Sequence, residues 1–134
     1  MFISGVARGQ GREHAIRFAK EGARIIGFDV CADQPTTPYP LATEEDLAET
    51  VRRVESAGGA MHAEVADVRD LNGLRSVLKG GMDKFGRLDV ILANAGIDRS
   101  NLAGSDEAAL LLPVDPDASA ARLRERLQSD FGVP

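Results

Sequence analysis

Phe2-Ile3-Ser4-Gly5-Val6-Ala7-Arg8-Gly9-Gln10-Gly11 passes from a short apolar run straight into a glycine-rich turn and then into a helical pattern. Glycine adopts positive φ and lets a backbone come into contact with an anion. A helix beginning at Gly11 would aim its unpaired N–H groups and the positive end of its dipole at the same point. The stretch therefore has the makings of a phosphate cradle. Taken alone, such a turn serves as readily as a structural corner, and its context has to decide.

Working outward, short apolar runs alternate with longer segments of helical spacing as far as Gly96, the pattern of repeated strand-helix-strand units and hence of a parallel sheet. The expected strands are Phe2 to Ser4, Arg24 to Asp29, Ala60 to Ala66 and Leu88 to Ala93. Several are nearly continuous apolar runs, as sheets covered on both faces require. The intervening helices carry apolar stripes at Ala15, Phe18, Ala19 and Gly22, at Leu47, Val51 and Val54, and at Leu71, Leu74, Leu78 and Phe85. Thr43 with Asp46 three residues on is a near-capping-box start, Gly58-Gly59 is a stop, and Asp70 is placed to cap the third helix. Pro35, Pro38 and Pro40 forbid regular structure between Cys31 and Leu41, so a stiff loop leaves the sheet where the second strand ends.

Asp29 ends that second strand, 18 residues beyond Gly11. A carboxylate there can accept hydrogen bonds from the ribose hydroxyls of a nucleotide whose pyrophosphate lies on the glycine turn. A 2'-phosphate would be repelled by Asp29, and Val30, Cys31 and Ala32 supply no compensating Arg, so the pair favours NAD over NADP. The bland alternative is that Asp29 caps a strand end.

Composition excludes other classes. A net charge of -5 and 28% charged residues offer no basic face for nucleic acid. Arg122, Arg124 and Arg126 share a helical segment with Glu125 and read as a solvated face. No run of eighteen apolar residues is present to span a membrane. The single cysteine, Cys31, rules out an internal disulfide and points to a reducing, cytoplasmic setting. A lone cysteine in this position reads as a small apolar filler. His14 and His62 lack partners at ligand spacing, so no metal site is expected.

Three spaced motifs together resemble the short-chain dehydrogenase/reductase family. The glycine segment is similar to its T-G-x-x-x-G-x-G, with Ser4 in place of Thr; Ala66-Asp67-Val68 is similar to its D-V pair after the third strand; and Ala93-Asn94-Ala95-Gly96 is similar to its N-N-A-G, with Ala93 for the first Asn. The resemblance spans about residues 1–97. It implies a Rossmann-type α/β fold, an open parallel sheet of strand order 3-2-1-4. It also implies NAD held by Gly5, Arg8, Gly9, Gln10, Gly11, Asp29, Val30, Asp67, Val68, Asn94, Ala95 and Gly96, with Asp67 on the adenine. Gly9-Gln10-Gly11-Arg12, Asp29-Val30-Cys31-Ala32 and Pro38-Tyr39-Pro40-Leu41-Ala42-Thr43 further resemble the actinobacterial, mycofactocin-coupled sub-group. There the inserted loop folds over NAD and the substrates are alcohols or ketones. That would make Tyr39 and its prolines a lid, beside the alternative of packing against the second helix.

The family's hydride chemistry uses a Tyr base, a Lys four residues later and a Ser that holds the substrate oxygen. Tyr39 is the only tyrosine, Thr43 stands four residues on, and no Lys follows Lys84. No catalytic residue is therefore assigned. The chain reads as a truncated NAD-binding half, residues 1–97, followed by a divergent tail, 98–134, with one helix over about 116–131. Both ends read as trimmed, and the tail as native, frameshifted or fused. The expected function is NAD binding by a fragment of an oxidoreductase, an alcohol or ketone substrate belonging only to a full-length relative. A non-catalytic NAD-binding or interaction module and a non-functional gene fragment stay open, as does self-association.

Overall fold

A computed structural model describes residues 1–35 and 37–95, together with positions 125 and 129. The chain divides into the units Met1–Ala95 and Gly96–Pro134, and the first of these carries the sheet. Of the expected tail helix, Glu125 and Ser129 are helical and exposed. The rest of that helix, and Gly96 of the expected site, lie outside the described residues.

Seven elements follow in order: β1 (Phe2–Ser4), α1 (Gly9–Lys20), β2 (Arg24–Asp29), α2 (Glu44–Ser56), β3 (Ala60–Val65), α3 (Leu71–Phe85) and β4 (Ile91–Leu92). The strands form one parallel sheet in the order β3-β2-β1-β4, as the alternation and the family resemblance imply. The register pairs Phe2 with Ile26 on one side and with Ile91 on the other, and Asp29 with Val65. The strand order reverses at β1, so the C-terminal ends of β1 and β4 form the topological switch point, the place where open α/β sheets bind ligands.

Alternate strand residues face opposite sides. Ile3, Ile25 and Met61 pack with Ala15 and Ala19 of α1 and Leu47 and Val54 of α2 in one core. The other face carries Phe2 and Phe28, whose rings lie 5.3 Å apart, and Ile26. Gly81 of α3 sits so close to Ile26 that a Cβ on it would come within 2.5 Å of that side chain. Ile3, Ile25 and Ile26 are fully buried, each contributing about 1.5–3 kcal/mol of transfer free energy.

Several boundaries differ from expectation. α1 begins at Gly9 and not at Gly11, because the turn itself supplies its first residues. β3 stops at Val65 and β4 is confined to Ile91–Leu92, since ladder pairing, not apolar character, sets a strand's length. Phe18 is 41% exposed and Leu71 47%, so the buried stripe of α1 rests on small alanines, and that of α3 on Val77, Leu78 and Gly81. Short side chains there let the helices lie close to the sheet. The Thr43–Asp46 capping box forms, and Asp70 caps α3 by accepting the Asn72 N–H at 3.0 Å.

Candidate functional site

The glycine turn joins β1 to α1, and its glycines have different reasons for being there. Gly9 has φ +58° and nothing within 4 Å of the position a Cβ would take, so it opens onto space at the start of a helix. Gly11 is buried, and a Cβ on it would overlap the Gly5 carbonyl oxygen and stand 2.7 Å from Asn94 Nδ2. The first leaves room for a ligand, and the second lets α1 seat against the turn. α1 has Arg8 as N-cap with no side-chain capping bond and no acidic residue in its first turn. A pyrophosphate therefore fits this cradle sterically and electrostatically.

Asp29, half-buried at the end of β2, faces the turn, and its Oδ2 accepts the Ala7 N–H at 2.9 Å. On the β4 side, Ser4 Oγ accepts the backbone N–H groups of Asn94 and Ala95 at 3.0 and 2.8 Å. Asn94 Nδ2 returns hydrogen bonds to the Ser4 and Gly5 carbonyls at 3.1 and 3.2 Å. A serine where the family's motif has threonine thus staples the first strand to the segment after the fourth. Gly5, Gly9, Gly11, Asp29, Asn94 and Ala95 are in this way brought to the C-terminal end of the sheet.

Asp67 and Val68 follow β3, which ends beside Asp29, with the Ala66 N–H donating to the Asp29 carbonyl at 2.9 Å. Val68 is half exposed. Asp67 accepts from the Arg69 guanidinium and from the Arg69 backbone N–H, which holds its carboxyl down at about 2. Arg69 in turn reaches Gln34 Oε1 at 3.3 Å. Arg8 is turned toward the proline loop: its Nη1 donates to the Pro40 carbonyl at 2.9 Å and its guanidinium lies 5.9 Å from the Tyr39 ring centre. Gln10 is exposed and Val30 half-buried. Burial, reinforced by the carboxylates of Asp29, Glu44 and Asp46, pushes the Cys31 thiol up to about 11.

Sequence reasoning passed over one cluster at this site. Arg12, with its side chain 14% exposed, reaches the Ala7 and Asp46 carbonyls and Thr50 Oγ1. The available signal was a cation in the first turn of a helix, where the dipole disfavours it. Among the described residues no three His, Cys, Asp or Glu side chains gather to hold a metal, and no helix is long and apolar enough to cross a membrane.

The sequence model of the short chain dehydrogenase family matches residues 1–110. The chain belongs to that family. An uncharacterized oxidoreductase of Mycobacterium tuberculosis is 54% identical over 96 residues, covering 72% of this chain and 35% of its own. Among solved short-chain dehydrogenases, a carveol dehydrogenase from Mycobacterium avium in complex with NAD is 49% identical with a TM-score of 0.69, covering 71% of this chain and 34% of that one. A short chain dehydrogenase from Mycobacterium paratuberculosis bound to NAD is 51% identical with a TM-score of 0.70, covering 72% and 36%. The chain thus spans about a third of the length of the relatives it matches.

Proposed function

We propose that this chain is the NAD-binding portion of a short-chain dehydrogenase of alcohols or ketones and binds the dinucleotide without transferring hydride itself. The observation that carries the reading is the open space over Gly9 at the start of α1, with the Asp29 carboxylate at the neighbouring strand end. The pyrophosphate lies over Gly9 against the first N–H groups of α1, flanked by Gly5, Arg8, Gln10 and Gly11. The adenosine ribose hydroxyls donate to Asp29. Asp67 and Val68 border the adenine, with Val30 beside them, and Asn94, Ala95 and Gly96 line the path toward the nicotinamide.

NAD, when bound, supplies the hydride acceptor. This chain's part is to bind and orient it: Asp29 disfavours a 2'-phosphate by like charge, and Val30, Cys31 and Ala32 bring no cation to offset that. Arg8, held on Tyr39 and Pro40, keeps the proline loop beside the turn, in line with a lid and with the mycofactocin-coupled sub-group. The likeness to the NAD-bound carveol dehydrogenase supports both the cofactor and the alcohol or ketone class. A cytoplasmic setting suits a lone, protonated cysteine. Residues 98–134 we assign to a separate tail.

A second reading, a non-catalytic NAD-binding module, is favoured by the absence of any Tyr-x-x-x-Lys pair from the 134 residues. Calorimetric titration of the purified chain tests what the two readings share. NAD should bind, and more tightly than NADP; no NAD binding at millimolar ligand would overturn both.

A further inference from the structure

Arg12 occupies the first turn of α1, where a helix least favours a cation. A guanidinium that is mostly buried has to satisfy its N–H groups, because unpaired buried charge is costly. Its Nη2 donates to the carbonyl of Ala7 and, at 2.8 Å, to that of Asp46, while Nε donates to Thr50 Oγ1 at 2.8 Å. The Asp46 carboxylate lies 3.5 Å away. Thr50 is fully buried, and its Oγ1 stands 2.9 Å from the Val6 carbonyl. Two successive carbonyls of the glycine turn are thereby drawn toward α2 by a pair of side chains that touch each other.

In a trans peptide the N–H points away from the C=O of the same plane. Fixing the Ala7 carbonyl on Arg12 therefore turns the Arg8 N–H to the opposite side, beside Gly9. The Ala7 N–H is held by Asp29, so both peptide planes flanking Ala7 have their orientation set from outside the turn. Nε and Nη2 of Arg12 are turned inward, onto two protein carbonyls, a carboxylate and a hydroxyl, so these two nitrogens serve the turn.

We infer that Arg12 is a positioning residue for the pyrophosphate: without touching it, the guanidinium fixes the Ala7–Arg8 peptide so that the Arg8 N–H is presented beside Gly9, and ties that peptide to α2. This rests on the NAD-binding reading above and adds to it a residue outside the ligand's reach.

The test compares ADP, which carries the pyrophosphate, with adenosine, which lacks it, by NMR chemical-shift titration of the whole chain. Arg12→Gln should weaken ADP binding about tenfold or more, the effect of one misdirected charge-assisted hydrogen bond, and leave adenosine within about twofold. Arg12→Lys keeps the charge and donors for the carbonyls but loses the planar guanidinium that also holds Thr50 Oγ1 through Nε, and should remain at least about threefold weaker than wild type for ADP. Equal ADP affinity in Arg12→Gln, an equal loss for ADP and adenosine, or full rescue by Arg12→Lys would each overturn the positioning role. Should Arg12→Gln fail to fold by circular dichroism, Arg12→Lys carries the same ADP-against-adenosine comparison. If wild type binds neither ligand, the NAD reading fails and takes this inference with it; if wild type binds ADP and the variants match it, only this inference fails.

Discussion

Asp29 Oδ2 accepts the backbone N–H of Ala7 at 2.9 Å, so the residue that ends β2 also anchors the turn that leaves β1. The same carboxylate is the one assigned to the ribose, which gives a single side chain two tasks. Replacing Asp29 by Ala should weaken NAD binding by about 1–3 kcal/mol through loss of charge-assisted hydrogen bonds. Isothermal titration reads this directly. Unaltered NAD affinity would reduce Asp29 to a turn anchor.

Gly9 and Gly11 should fail in different ways. Gly9→Val introduces a branched side chain at φ +58° into the space left for phosphate, costing about 1–2 kcal/mol in backbone strain. It should abolish NAD binding while helix content survives. Gly11→Ala forces a methyl group onto the Gly5 carbonyl and should lower thermal stability first, by about 1–3 kcal/mol or more for an overpacked contact. Circular dichroism melts run beside NAD titrations separate the two. Normal NAD binding by Gly9→Val would show the turn to be only structural.

With its thiol raised to about 11 by burial and by Asp29, Glu44 and Asp46, Cys31 holds its proton at neutral and mildly alkaline pH. The thiolate is the nucleophile, so iodoacetamide should label the folded chain slowly at pH 8. The rate should climb as pH approaches 11, and the urea-unfolded chain should react at the ordinary thiol rate. Mass spectrometry of timed samples checks this. Equal rates for folded and unfolded chain at pH 8 would contradict it.

No alcohol or ketone should be turned over with NAD or NADH. The 134 residues hold no Tyr-x-x-x-Lys pair to move the proton at the reacting oxygen, a contribution commonly worth about 10² to 10⁴ in rate. Carboxylates are in general poor bases toward an alcohol. NADH absorbance followed with a panel of alcohols at high protein concentration, beside the Gly9 variant, is the assay. Turnover that vanishes in the variant would mean that a proton-transfer group lies elsewhere in the chain or its assembly.

What the sequence made legible was local. The 3-2-1-4 order follows from strand-helix alternation together with the family motifs, and the Thr43–Asp46 box and the Asp70 cap are each written within a few neighbouring residues. The site was legible where glycine spacing and a strand-end carboxylate report it. Contacts made through space were not. Ser4 stands in the motif in place of Thr, and nothing local tells that its hydroxyl reaches across 90 residues to the Asn94 N–H. Thr50 carries no signal of its role, because nothing in α2's own pattern tells of an arginine on α1. Phe18 and Leu71 were misplaced for a related reason: period marks a face, whereas the closeness of helix to sheet decides which residues on it are covered, and in this fold the alanines and Gly81 decide.

β1 is made first and lies between two strands that come later, pairing with β2 and with β4. During synthesis, Phe2 and Ile3 can meet Ile26 and Gly27 early, but their other edge has no partner until Ile91 and Leu92 have been added. Pairings so distant along the chain close slowly, since the entropy of the intervening loop must be overcome before any contact rewards it. For that interval the nascent protein carries an apolar strand with one open side, a surface on which neighbouring chains can pair. The Ser4 hydroxyl, which accepts the N–H groups of Asn94 and Ala95, is therefore without those partners until the stretch that closes this edge has been added.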